Sequence, residues 1–171
     1  MSIIFDRNHY SEIVEKGILQ AKQFVWISTA NIKDLYVVQG RRAHPLLKDL
    51  SDLSESGVAL RILYAKDPSG HFKASFDKYA NLVHGGVEMQ PCARLHAKVI
   101  IVDGVMAYTG SANLTGAGLG AKAVRNHNFE AGWLTREPHE VQELMNYYDT
   151  IWMGRHCTGC GRKTQCEEPI E

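Results

Sequence analysis

One stretch of the sequence carries residue types that could act together on a phosphate ester. His96-Ala97-Lys98 is followed by the apolar run Val99-Ile100-Ile101-Val102, then by Asp103, and further on by Gly110-Ser111-Ala112-Asn113. In an extended segment side chains alternate between faces, so His96 and Lys98 point the same way and can meet one phosphate together. A sharp turn at Gly110 can bring Ser111 and Asn113, both short hydrogen-bonding side chains, to that group from the end of the next strand. A phosphodiester repels nucleophiles with its own negative charge, so cleaving it requires fixed positive charge and donors where charge builds. Lys98, Ser111 and Asn113 supply these. Imidazole, with an ordinary pKa of about 6.5, is available as a neutral nucleophile near physiological pH, and attack by His96 gives a covalent phosphohistidine.

The leaving alcohol must then take a proton, and a second histidine is the natural acid. Two equivalent imidazoles beside one phosphate can have their pKa values pushed apart, one neutral and one charged. The chain has one such motif, so the second histidine is expected to be His96 of a two-fold partner. Water activated by the same group, now acting as base, releases the product, and no catalytic metal is required. His71-Phe72-Lys73 repeats the HxK spacing but has Lys78 where an Asp would be needed and no GSxN after it. Asp103 is expected at a strand end or turn, with a structural role ahead of a catalytic one.

The pattern HxK, Asp five residues on, then GSxN resembles the phospholipase D superfamily, and the shortness of the chain points to its small bacterial endonuclease branch. The resemblance implies an α/β fold, a mixed β-sheet flanked by helices, as a half-unit that pairs as a homodimer in which each chain supplies one motif. It also implies a downstream Glu that orients the histidine, and Glu130 in Asn128-Phe129-Glu130 matches. The function implied is a phosphodiesterase, foremost a nuclease on DNA or RNA. A phospholipid phosphodiesterase and a non-catalytic nucleic-acid-binding subunit of a larger assembly are the alternatives, although the lipid enzymes of this superfamily commonly carry two motifs or a membrane segment. Tyr108, Arg94 and the Arg41-Arg42 pair could shape access to the site.

A second constellation lies at the C-terminus, where His156 precedes Cys157, Cys160 and Cys166. C-x2-C with Gly immediately after the second cysteine reads like a zinc knuckle, and such clustering suits a metal better than a disulfide framework. Zinc wants four ligands. The distant Cys92 is preferred over the adjacent His156 as the fourth, because it would staple the tail to the body. The spacing also resembles the C-terminal cluster of iron-sulfur nucleases, and unliganded thiols are the plain alternative. With Cys92 as ligand, the metal would lie four residues from His96.

These groups need a scaffold, and 171 residues suffice for one ordinary domain. Residues 1–154 are expected to form the catalytic domain and 155–171 a short metal-binding tail. The 19 Lys plus Arg balance 19 Asp plus Glu, so any face for a polyanion must be local. No apolar run is long enough to cross a bilayer, and the first residues lack the pattern of a secretory signal, which gives a cytoplasmic expectation. Periodicity predicts helices over 10–23, 46–56, 71–82 and 137–152, and strands over 24–29, 58–64, 87–90, 95–102, 106–109 and 128–134. Asp103-Gly104 between two of the strands is a hairpin signal.

Overall fold

The computed structural model describes residues 2–33, 35–39, 42–166, 168 and 170, the side chains of Gln39 and Val124 excepted. Seven strands form one mixed sheet: β1 (Ser2–Phe5), β2 (Phe24–Thr29), β5 (Ala59–Tyr64), β6 (Glu88–Pro91), β7 (Val99–Val102), β8 (Met106–Gly110) and β9 (Ala131–Thr135), in the order β1-β9-β8-β7-β2-β5-β6. Two further strands, β3 (Tyr36–Gln39) and β4 (Arg42–Pro45), pair with each other antiparallel. The helices are α1 (Leu46–Glu55), α2 (Gly70–Phe76) and α3 (Pro138–Trp152).

Strand direction decides where a site can form. β5 and β6 run parallel to β2, while β7 and β9 run against their neighbours. The C-terminal ends of β1, β2, β5, β6 and β8 therefore share one edge of the sheet with the N-terminal ends of β7 and β9. Open α/β sheets bind ligands beyond the carboxyl ends of their strands, and this edge receives the segment 96–98, the turn after Gly110 and Glu130.

The all-apolar β7, Val99-Ile100-Ile101-Val102, is buried throughout because both faces of the sheet are covered there. On one face Val25, Ile27, Leu60, Ile62 and Ile100 pack with Ile13, Val14 and Ile18 and with Leu46, Leu47 and Leu50 of α1. On the other, α3 lays Val141 and Tyr148 over Leu63, Val99, Ile101 and Ala107. The edge strand β1 and its neighbour β9 lack this second cover, and Ile3, Phe5 and Trp133 stand exposed there.

Several predicted elements are corrected. The helix predicted over 10–23 is two short turns, a wide one at Tyr10–Glu15 and a tight one at Ile18–Gln20. They break at Gly17, where a Cβ would come within 2.4 Å of the Ile13 carbonyl oxygen and 2.5 Å of the Met106 methyl. The helix predicted over 71–82 stops at Phe76, its start capped by Ser69 Oγ accepting from the Phe72 N–H. The strand predicted over 95–102 begins only at Val99, and β1, β3 and β4 were not predicted. The Asp103-Gly104 hairpin forms, with both residues at positive φ, 53° and 67°.

Candidate active site

His96 and Lys98 sit in an irregular stretch feeding β7 rather than within the strand. Ser28 of β2 holds that stretch in place, its Oγ donating to the Ala97 carbonyl at 3.2 Å and accepting from the Val99 N–H at 3.1 Å. The Gly110 N–H donates to the Lys98 carbonyl at 3.3 Å, which ties the stretch to the turn that follows β8. Lys98 is only 8 % exposed, a rare condition for an ammonium without a fixed role. It donates to the His96 carbonyl at 2.8 Å, and its Nζ lies 3.4 Å from each His96 ring nitrogen. The two side chains thus share a side, the lysine below and the imidazole exposed to solvent.

Glycine makes the next turn possible. A Cβ on Gly110 would fall 2.4 Å from the Tyr108 hydroxyl, and one on Gly132 would fall 2.3 Å from the Tyr108 ring. Tyr108 fills this space, fully buried, and its hydroxyl accepts from the Ala112 N–H at 3.3 Å. Burial pushes its phenol up to about 12, so it stays protonated.

Beyond that turn Ser111 Oγ donates to one carboxylate oxygen of Glu130, whose other oxygen accepts from Asn128 Nδ2 at 2.9 Å. The Glu130 N–H donates to the Asp6 carboxylate at 2.9 Å, and the Asp6 N–H returns a bond to the Glu130 carbonyl at 2.9 Å. Glu130 is therefore held by Ser111 and Asn128 at the edge of the sheet that also receives His96.

Asn113 Oδ1 accepts from the backbone N–H groups of Ala30 and Asn31, both at 3.1 Å. That fixes the oxygen toward the loop after β2 and leaves the amide nitrogen as a donor. Asn113 lines a cavity of about 480 Å³ with Asn31, Lys33, Lys66, Lys122 and Asn128. Three lysines on one polar cavity make the local positive face that the balanced overall charge had left open.

Asp103 does not join this cluster. It lies at the opposite end of β7, where its carboxylate accepts from the N–H groups of Lys22, Gln23 and Phe24 at 2.8, 2.7 and 2.8 Å and fixes the start of β2. Arg94 donates to the His156 carbonyl at 3.5 Å, Arg42 begins β4, and Arg41 lies outside the described residues. Sequence reasoning missed Asp6, Ser28, Asn128 and the three lysines. Lys33 and Lys66 follow the ends of the parallel strands β2 and β5, a position that would have marked them once that pairing was assumed.

The four cysteines line one cavity of about 30 Å³. His156 lies instead in a neighbouring cavity of about 250 Å³ shared with Cys92, Cys157, Cys160 and His96. Among the described residues no group of three or more His, Cys, Asp or Glu side chains is arranged to hold a metal ion.

An exposed imidazole backed by a buried ammonium, with neutral donors at the carboxyl ends of a mixed sheet, defines a phosphodiesterase-type domain. The sequence matches the family described as cardiolipin synthase, PLD-like domain, over residues 14–152, and the chain belongs to that phospholipase D-like family. The fold is similar to that of the phospholipase D family member Nuc from Salmonella typhimurium, with a TM-score of 0.63 and 20% identity over 88% of this chain and 92% of that one. It is also similar to NucT from Helicobacter pylori, with a TM-score of 0.63 and 15% identity over 89% of this chain and 94% of that one. TrmBL2, an archaeal chromatin protein with its own mode of DNA binding, shares the fold at a TM-score of 0.58 and 13% identity, over 90% of this chain and 53% of that one. A search of curated protein sequences gives no match. No helix among the described residues is long and apolar enough to cross a membrane.

Proposed function

We propose that the chain is a nuclease, cleaving DNA or RNA phosphodiesters through a covalent phosphohistidine on His96, in an active site shared across a homodimer. The observation that carries this reading is the Lys98 ammonium, nearly buried and 3.4 Å from both ring nitrogens of an exposed His96. The imidazole attacks phosphorus, the P–O bond to the leaving alcohol breaks, and that oxygen takes a proton from the protonated His96 of the partner subunit. The now neutral partner imidazole then removes a proton from water, whose oxygen attacks phosphorus and breaks the P–N bond to free His96. Lys98 and the Asn113 amide face the charge that builds on the equatorial oxygens.

Nucleic acid is favoured over lipid by the cavity beside Asn113, which presents Lys33, Lys66 and Lys122 among amides and backbone instead of an apolar slot. Phosphate backbones are held by such lysines. Residues 1–154 serve as the catalytic domain and those from 155 onward as an appendage to it.

The test sets an aryl phosphodiester, single-stranded DNA, RNA and a phospholipid side by side. Turnover of the aryl ester with DNA or RNA, and not the phospholipid, is the expected result. Acid-quenched protein with labelled substrate should hold an acid-labile, base-stable label that His96→Ala lacks, and Lys98→Met should lower kcat with little change in stability. Undiminished turnover by His96→Ala would overturn the mechanism.

A further inference from the structure

We infer that Cys92, Cys157, Cys160 and Cys166 bind one zinc ion, and that this ion fixes the C-terminal segment to the stretch that carries His96. The inference is independent of the substrate. Four thiols from two segments far apart in sequence meet at a single cavity, all of them half-buried and none in a disulfide. Chance packing of a polar tail gives no reason for every cysteine of the chain to collect there.

The local backbone already has the form of a metal turn. Gly159 takes a left-handed φ of 73° between Cys157 and Cys160, and the Cys160 N–H donates to the Cys157 carbonyl at 3.1 Å. The segment is held against the body from both sides. Arg162 donates to the Ala93 carbonyl at 2.9 Å, and Cys166 Sγ lies 3.8 Å from the Pro91 carbonyl. Ala93 and Pro91 flank Cys92, so these bonds set the two sulfur-bearing segments face to face.

Charge and size point to the same occupant. Four thiolates around one divalent ion leave a net negative charge, and Arg94, Arg162 and Lys163, against the single carboxylate of Glu168, line the cavity where that charge would lie. A volume of about 30 Å³ suits one atom of the size of a water or metal ion. The four cysteines line the cavity without converging as placed, and cysteine has a single side-chain torsion, so rotation between staggered positions can turn their sulfurs inward. The ion would then brace Cys92, four residues before His96.

The full chain, purified reduced and stripped of metal, is titrated with cobalt and then zinc. The expected result is one cobalt per chain, with thiolate charge transfer and the strong visible bands of a tetrahedral site, displaced by zinc. Cys92→Ser and Cys166→Ser should each remove about a quarter of the charge-transfer intensity, one thiolate in four, and weaken binding at least about tenfold. X-ray absorption of the wild-type zinc form, which does not depend on a variant folding, should show four sulfurs at about 2.3 Å. No uptake at stoichiometric metal, or a brown protein with several irons per chain, overturns the inference. So does a shell of three sulfurs and one imidazole that survives Cys92→Ser, which would give the fourth position to His156.

Discussion

At the scale of single residues the site is a set of side chains whose alternatives have been removed by their neighbours. Glu130 cannot drift because Ser111, Asn128 and Asp6 hold its carboxylate and backbone. Asp6 is held in turn by His9, a fully buried histidine whose Nδ1 lies 2.9 Å from the Asp6 carbonyl, the partner to which it donates, and whose ring meets Tyr108 edge-on at 5.3 Å. Among the described residues His9 Nε2 has no hydrogen-bond partner, and burial lowers the pKa of this imidazole below its ordinary value. The sign of the consequence follows from which state takes the proton first. The unfolded chain binds it near pH 6.5 and the folded chain only at lower pH, so the stability due to neutral His9 is complete above about 6.5 and is lost as pH falls from there through the folded value. Thermal unfolding followed from neutral to acid pH should show the wild-type midpoint falling below about pH 6.5 more steeply than that of His9→Gln. Parallel curves would remove His9 from the account.

At the scale of elements, the hairpin β7–β8 does two jobs at its two ends. One end presents Lys98 and the Gly110 turn, while Asp103 at the other collects three backbone N–H groups from the start of β2. A hydrogen bond to a charged group is worth about 1.5–3 kcal/mol, but two of these three are solvent-exposed, where water replaces the lost acceptor, and only the bond from Phe24 is partly buried. Asp103→Ala should therefore lower the free energy of unfolding by about 2–3 kcal/mol while kcat of the folded fraction stays unchanged, as denaturant melts and turnover on the same samples will show. Asp103→Asn, which keeps an acceptor and tolerates positive φ, should lie between. A dead but fully stable Asp103→Ala would return this residue to the chemistry. The hairpin was legible because both its signals are local, an apolar run and an Asp-Gly pair. β1 was not, because only Ile4 of Ser2–Phe5 is buried and Ile3 and Phe5 face outward, so the pattern of a covered strand is missing. The close approach of the Met106 methyl to Gly17 and the anchoring of Glu130 by Asp6 are contacts between parts of the chain that no local window contains. The six residues expected at the site divide in the same way: the types and spacing of His96, Lys98, Ser111 and Asn113 were visible in the sequence, whereas the partners of Glu130 and Asp103 belong to the tertiary structure.

At the scale of the molecule, the proposed mechanism asks two imidazoles of a chain that carries one HxK and GSxN motif. The face of β1 and β9 leaves Ile3, Phe5 and Trp133 exposed, and Phe129, 92 % exposed, lies just before Glu130. Exposed apolar side chains of that kind are candidates for the contact in the proposed dimer, and a two-fold contact along this edge would bring two copies of Glu130 toward each other. Mixed dimers make this testable without a structure of the pair. Wild type and His96→Ala are denatured together in equal amounts and refolded, so that a closed dimer draws each subunit independently and about a quarter of the dimers hold two histidines. If every active site needs both, activity relative to the same total mass of wild type falls to about a quarter, since mixed dimers contribute nothing. If each chain carries a complete site, the mutant merely dilutes the wild type and about half remains. Refolded wild type alone fixes the scale, and sedimentation of the mixture confirms that dimers have formed. A value near one half, or turnover that persists in monomers at high dilution, would leave His96 as nucleophile but transfer the proton to an acid within the same chain.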